Sequence, residues 1–248
     1  MFQVIIYGII AAASLFLGAV FGVYLQIKPK LIGIIMAFGA GALIAALTFG
    51  LMEEANKLGG LDNSTIGFIA GAVLFVVGDL IIIRLGGRHH KEHYQTRITT
   101  VMEEENQSGW AIVLAAILDG IPESLALGIS MIVNPSVGLL VLTSIFLSNF
   151  PESSSSAFDL RKAQKSRKEI IWVWLAVSVI GFIFVILGYT IFKNLSPNLI
   201  GTFEALAAGA LLAMIASTMM PEAYKESGLL VSMVTVLGFL VIFVLSKI

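Results

Sequence analysis

Two short stretches hold most of the chemistry this chain could perform: Asp119-Gly120-Ile121-Pro122-Glu123-Ser124 and Ser148-Asn149-Phe150-Pro151-Glu152-Ser153. Each sets a Pro-Glu pair inside a long apolar run. On a helix, residues three or four apart share a face. Asp119 therefore aligns with Glu123, and Ser148 and Asn149 align with Glu152. A helix-interior proline removes the hydrogen bond to the carbonyl four residues back, here Leu118 and Leu147. In lipid, such an oxygen needs a donor, a water or a cation. A carboxylate near the bilayer centre costs at least roughly 2.5–3.5 kcal/mol on insertion scales. Two kinked helices facing each other would present three carboxylates, an amide, a hydroxyl and two loosened carbonyls. Such an all-oxygen, net negative cluster suits a divalent cation. The expected ligands are Asp119, Glu123, Asn149 and Glu152, with Ser148 accessory. Coupled carboxylates also carry protons in pumps and transporters, and that reading stays open. A single intramembrane Glu is often a protonated packing residue, but keeping three in one pocket neutral is a heavier demand.

Helices must hold these groups, and the composition says where. The 248 residues are 58% hydrophobic and 12% charged, with a mean hydropathy of +0.96. Soluble domains carry about twice that charged fraction. The expected fold is an all-α polytopic membrane protein with one transmembrane domain over residues 1–248. At about 20 apolar residues per crossing, eight spans fit: 2–26, 31–53, 64–85, 110–133, 136–158, 170–192, 198–221 and 228–247. The first lacks a basic start and runs too long for a signal peptide, so it reads as a retained span. Turn signals punctuate the ends at Lys28-Pro29-Lys30, Asn134-Pro135 and Ser196-Pro197-Asn198.

Twelve of the fifteen basic residues fall in the loops after spans one, three, five and seven; only Lys57, Lys193 and Lys247 lie opposite. The positive-inside rule puts those four loops in the cytoplasm and both termini outside. An internal repeat is also legible. Gly41-Ala42-Leu43-Ile44-Ala45 in span two matches Gly209-Ala210-Leu211-Leu212-Ala213 in span seven. Eleven residues after the start of each, Met52-Glu53-Glu54-Ala55 faces Met220-Pro221-Glu222-Ala223. Spans two and seven cross in opposite directions, which is the mark of an inverted repeat with its site near the midplane. Spans one to three and six to eight would flank the central pair.

The remaining polar groups have plainer readings. Loop 86–109 carries His89, His90 and His93, then Glu103-Glu104-Glu105; it reads as a solvated linker or as a weak metal-collecting tract. Deleting 86–109 leaves ion uptake unchanged on the first reading and lowers it on the second. Ser153-Ser154-Ser155-Ser156 can bond neighbouring helices or line a path. Asp79 is expected to pair with Arg84 or Arg88, and Glu204 and Glu222 to sit at the membrane interface. Glu53, Glu54 and Asp62 in the outer loop after span two would concentrate cations at an entrance. The absence of cysteine removes disulfides and thiolate ligands together. No nucleophile–base pair, cofactor motif or phosphate loop is present, so no enzymatic activity and no cofactor are expected.

Eight spans, outward termini, a histidine-bearing loop after span three and Pro-Glu motifs in spans four and five together resemble the ZIP family of divalent metal transporters. The resemblance extends over nearly the whole chain. It implies a mid-membrane site for one or two metals, a divalent cation as transported substrate moving into the cytoplasm by alternating access, and residence in a plasma or inner membrane. The implied partners are lipid and cation, with homodimerisation open and nucleic acid excluded. Family members typically read His-Asn-x-Pro-Glu-Gly in span four and a similar His-led motif in span five. Glu123, Asn149 and Glu152 match ligand positions. Asp119 and Ser148 stand where the family has histidines, Gly120 where it has asparagine, and Thr218 where many members have another acidic residue. Carboxylate, amide and water suit Mn²⁺, Mg²⁺ or Ca²⁺ better than Zn²⁺. Two other readings remain: a transporter of a different ion or solute with proton-carrying carboxylates, and a non-transporting sensor or interaction subunit on the same fold.

Overall fold

The computed structural model describes residues 1–25, 27–84 and 109–247. The three histidines, Glu103-Glu104-Glu105 and Arg88 lie outside them. The described chain is helical throughout: α1 (Phe2–Tyr24), α2 (Pro29–Ala46), α3 (Glu53–Arg84), α4 (Gly109–Val133), α5 (Pro135–Lys162), α6 (Arg167–Phe192), α7 (Pro197–Met214), α8 (Met220–Ser227) and α9 (Leu230–Leu245). The fold is thus all-α and polytopic. Among the described residues, five segments are long and apolar enough to cross a membrane, at Phe2–Tyr24, Pro29–Ile81, Ala116–Val133, Arg167–Phe192 and Pro197–Ser227. Leu230–Leu245 is a shorter apolar helix.

Local chemistry sets the helix starts. Pro29, Pro135 and Pro197 occupy first-turn positions, where the missing N–H costs nothing and the fixed φ favours the helix. Asn134 caps α5 by accepting from the Ser136 N–H at 2.9 Å, and Ser166 caps α6 by accepting from Glu169 N–H at 3.1 Å. Gly228, at φ 60°, ends α8.

The apolar surface points outward. On α3, Ile66, Ile69, Val73, Leu74, Val77, Leu80 and Ile81 are exposed, and on α9 so are Met233, Val236, Leu237, Leu240 and Val244. The interior instead collects Asp119, Glu123, Ser144, Ser148, Asn149, Ser153, Ser154 and Glu204. A lipid solvent demands this arrangement, since a polar group facing hydrocarbon has no partner there.

Where an outer loop was expected between spans two and three, the chain stays helical. Leu47–Met52 is a π-helical segment and α3 follows directly, so Glu53, Glu54 and Asp62 lie on helix. Gly60 (φ 73°, ψ 172°) breaks α3 near its start. Only a glycine takes that conformation without strain. A second π-helical segment, Ile215–Met219, follows α7. The two π segments begin 168 residues apart, the offset that also separates Gly41 from Gly209.

The repeat governs packing as well. Two extensive contacts, α3 with α7 and α2 with α9, are related by the repeat. In the first, a Cβ on Gly71 would strike the Leu206 carbonyl, and one on Gly209 the Phe68 carbonyl. In the second, Gly41 meets the Thr235 carbonyl and Gly238 the Phe38 carbonyl. Each pair is reciprocal, a glycine on either helix against a carbonyl on the other, three residues before the partner's glycine. Small residues of this kind let helix backbones touch in lipid.

Gly120 behaves differently, with nothing within 4 Å of an added Cβ. Close packing therefore does not explain it. Gly71→Val and Gly41→Val should each lose roughly 1–3 kcal/mol or more by overpacking, while Gly120→Ala keeps wild-type thermal stability. Thermal unfolding of the detergent-solubilised variants, read by fluorescence, checks the contrast.

Candidate metal-binding site

Pro122 lies inside α4 and Pro151 inside α5, as the sequence requires. Around them the structure brings four of the five expected ligands into one buried region. Asp119 is 5% exposed, Glu123 2%, Ser148 0% and Asn149 4%. Ser148 Oγ donates to Glu123 Oε1 at 3.3 Å and also lies 3.0 Å from the Ile145 carbonyl. Asp119 and the Asn149 side chain face the same carboxylate. Glu123 Oε2 accepts no hydrogen bond among the described residues. An unsatisfied buried acceptor costs about 1–3 kcal/mol, more if charged.

Glu152 stands apart in burial. It is half-exposed, one turn along α5 from Ser148, and takes part in an interaction of its own. Among the described residues, no three carboxylates or imidazoles stand close enough to hold a metal. The donor set gathered here is therefore two carboxylates with a hydroxyl and an amide, and a cation bound there would draw further oxygens from water or from helix movement.

Neighbouring helices close on this region through small residues. Gly39 of α2 packs against the Leu147 carbonyl that Pro151 sets free: an added Cβ would stand 2.7 Å from that oxygen and 2.9 Å from Ser148 Cα. The serine run serves helix–helix bonding. Ser153 Oγ lies 2.7 Å from the Asn149 carbonyl of its own helix. Ser154 Oγ donates to the Gly18 carbonyl of α1 at 2.8 Å, and Ser155 Oγ donates to Glu222 Oε1 of α8 at 2.6 Å. Glu222 is consequently tied to α5 one turn beyond Glu152, on a half-buried face rather than a bare interface. The interfacial expectation also fails for Glu204, which is fully buried in α7. Sequence reasoning missed it because one Glu eight residues into an apolar helix looks like a helix-end residue. The signal available was its regular spacing with Ala208 and Leu211 on the inner face. Asp79 takes part in an interaction, whereas the Arg88 half of its expected pairing lies outside the described residues.

A family description, ZIP zinc transporter, matches residues 84–246. The match takes in α4 to α9, hence both Pro-Glu motifs and the Met-Pro-Glu-Ala end of the second repeat. No curated protein matches the chain. A chain matched over some two thirds of its length belongs to the ZIP zinc transporter family, whose members are metal transporters of the zinc and divalent-cation class.

Proposed function

We propose that this protein carries a divalent cation across a cell membrane into the cytoplasm, through a site formed by Asp119, Glu123, Ser148 and Asn149 with Glu152 joining as the cation passes. One observation carries the reading. Glu123 is buried between α4 and α5 with one oxygen held by Ser148 and the other open. A carboxylate in that position is stabilised by a cation that arrives and leaves.

The chain's own residues supply the chemistry. Asp119 and Glu123 bring the charge that offsets cation dehydration, and Ser148 holds Glu123 in orientation. Asn149 gives a neutral oxygen that keeps binding from becoming irreversible. With no imidazole in the pocket, selection rests on charge density and ligand number, which favours Mn²⁺ and harder ions over the softer ones. Alternating access would follow from the inverted repeat: Pro29–Ile81 and Pro197–Ser227 each run through a π segment, the first of them packed against α4 and α5. π-helical turns are frequent at functional sites. Eight crossings, with the 53-residue Pro29–Ile81 segment spanning twice, and outward termini complete the topology.

Uptake into vesicles containing the purified protein tests this across Mn²⁺, Zn²⁺, Fe²⁺, Mg²⁺ and Ca²⁺. Glu123→Ala and Glu152→Ala should each abolish uptake, and undiminished transport by the folded double variant sinks the mechanism. A Cβ added at Gly120 meets nothing within 4 Å. Gly120→Asn, which restores the residue usual in the family, should fold and tighten cation binding, read by equilibrium binding of Mn²⁺.

A further inference from the structure

Glu204 is the third buried carboxyl group of the described residues, after Asp119 and Glu123, and the site on α4 and α5 does not use it. Its side chain is 0% exposed, and neither oxygen has a hydrogen-bond partner among the described residues. Leaving a carboxyl group in that condition is costly in any protonation state. A packing role would be served better by Leu or Met, so the residue answers to a partner that comes and goes.

The surroundings define that partner's charge. α7 packs along α3 at this level: a Cβ on Gly201 would lie 2.6 Å from the Ala55 carbonyl and 2.8 Å from Gly59 N. One turn on, Glu204 has Glu54 within electrostatic reach. Glu54 is itself mostly buried, its side chain 18% exposed, and is bridged by Lys57 Nζ at 2.9 Å. Lys57 also bridges Glu53 at 3.0 Å and is 54% exposed. The cluster is thus a buried, unpartnered carboxyl group behind a second carboxylate, with one movable ammonium at the solvent side. By the distribution of basic loops it sits on the outer side. It also lies where the first π segment hands over to α3, and the repeat makes Glu54 the sequence counterpart of Glu222, which Ser155 ties to α5.

We infer that Glu204 and Glu54 form an outer binding site for a divalent cation, occupied before the ion reaches Asp119 and Glu123. Lys57 neutralises Glu54 while the site is empty and swings into solvent when the cation takes its place. Two carboxylates with water completing the shell bind weakly, as a site on a conduction path must if the ion is to move on. This extends the proposed transport reading and rests on it for direction, while binding at the site can be tested apart from transport.

Equilibrium binding of Mn²⁺ alone to the detergent-solubilised full chain, followed by the loss of free Mn²⁺ spin signal, is the deciding measurement. In a Glu123→Gln background, which disables the central site, one weak Mn²⁺ should remain. Adding Glu204→Gln or Glu54→Gln should weaken it roughly tenfold or more, the scale seen when metal-supporting groups are removed. Lys57→Gln should tighten it. In vesicles, Glu204→Gln should raise the half-saturating Mn²⁺ concentration more than it lowers the maximal rate. Unchanged Mn²⁺ binding in both Gln variants overturns the outer site, and so does Glu204→Leu that folds, is more stable and retains wild-type half-saturation. If the wild-type chain moves no divalent cation while Mn²⁺ binding still depends on Glu204, the transport reading fails and the site stands.

Discussion

A carboxylate cannot stand alone in hydrocarbon, and the bond from Ser148 to Glu123 is where this protein meets that constraint. It joins α4 to α5 across the centre of the bundle. The proline one residue before Glu123 loosens α4, and its counterpart in α5 loosens the turn that carries Ser148 and Asn149. The remaining helices then have to keep lipid away from the opening so made. α1 does so by lending the Gly18 carbonyl to Ser154. α2 does so by bringing Gly39 against the freed Leu147 carbonyl. Hydrogen bonds between membrane helices contribute only about 0.6 kcal/mol on average, so these contacts fix position more than they add stability.

Around that centre the two flanks are built alike. The π segments, the reciprocal glycine–carbonyl contacts and the carboxylates Glu54 and Glu222 recur at almost one offset in the chain. The repeat is therefore more than a likeness of small apolar residues. It fixes where backbones touch, where the helices widen, and where a charge follows. The flanks differ in what the charge does. Glu222 is taken up by Ser155, whereas Glu54 is held by Lys57 in front of a buried Glu204.

Much of this could be read from the residues. Long apolar runs and punctuating Pro and Asn gave the helices and their starts, because helix-forming apolar segments leave the backbone no other way to satisfy itself in lipid. The four-residue spacing placed Asp119 with Glu123, and the matching Pro-Glu motifs pointed to the facing helix that brings Ser148 and Asn149 to them. Three things were not legible. The stretch 54–63 looks like a loop by charge and glycine content, yet it continues as helix, since Glu53 and Glu54 pair with Lys57 along one face and Gly60 absorbs the break. The burial of Glu204 depends on how α7 is rotated against α3, which close glycine contacts set and hydropathy does not. Glu152, equal to Glu123 in the motif, is less buried because a register match in sequence says nothing of which helices cover each turn.

The reciprocal glycine contacts carry one more consequence. Under alternating access, a carrier is quick only if its outward-open and inward-open forms are nearly equal in free energy, since a gap of a few kcal/mol would leave one of them scarcely populated. The two contacts, α3 with α7 and α2 with α9, are counterparts in the repeat and each ties one flank to the other, so they resist bending to a similar degree. On the proposed alternating-access mechanism, duplication gives a balanced pair of end states without either having to be tuned separately. A single methyl group on Gly71 or Gly41 would tip that balance as well as loosen the fold.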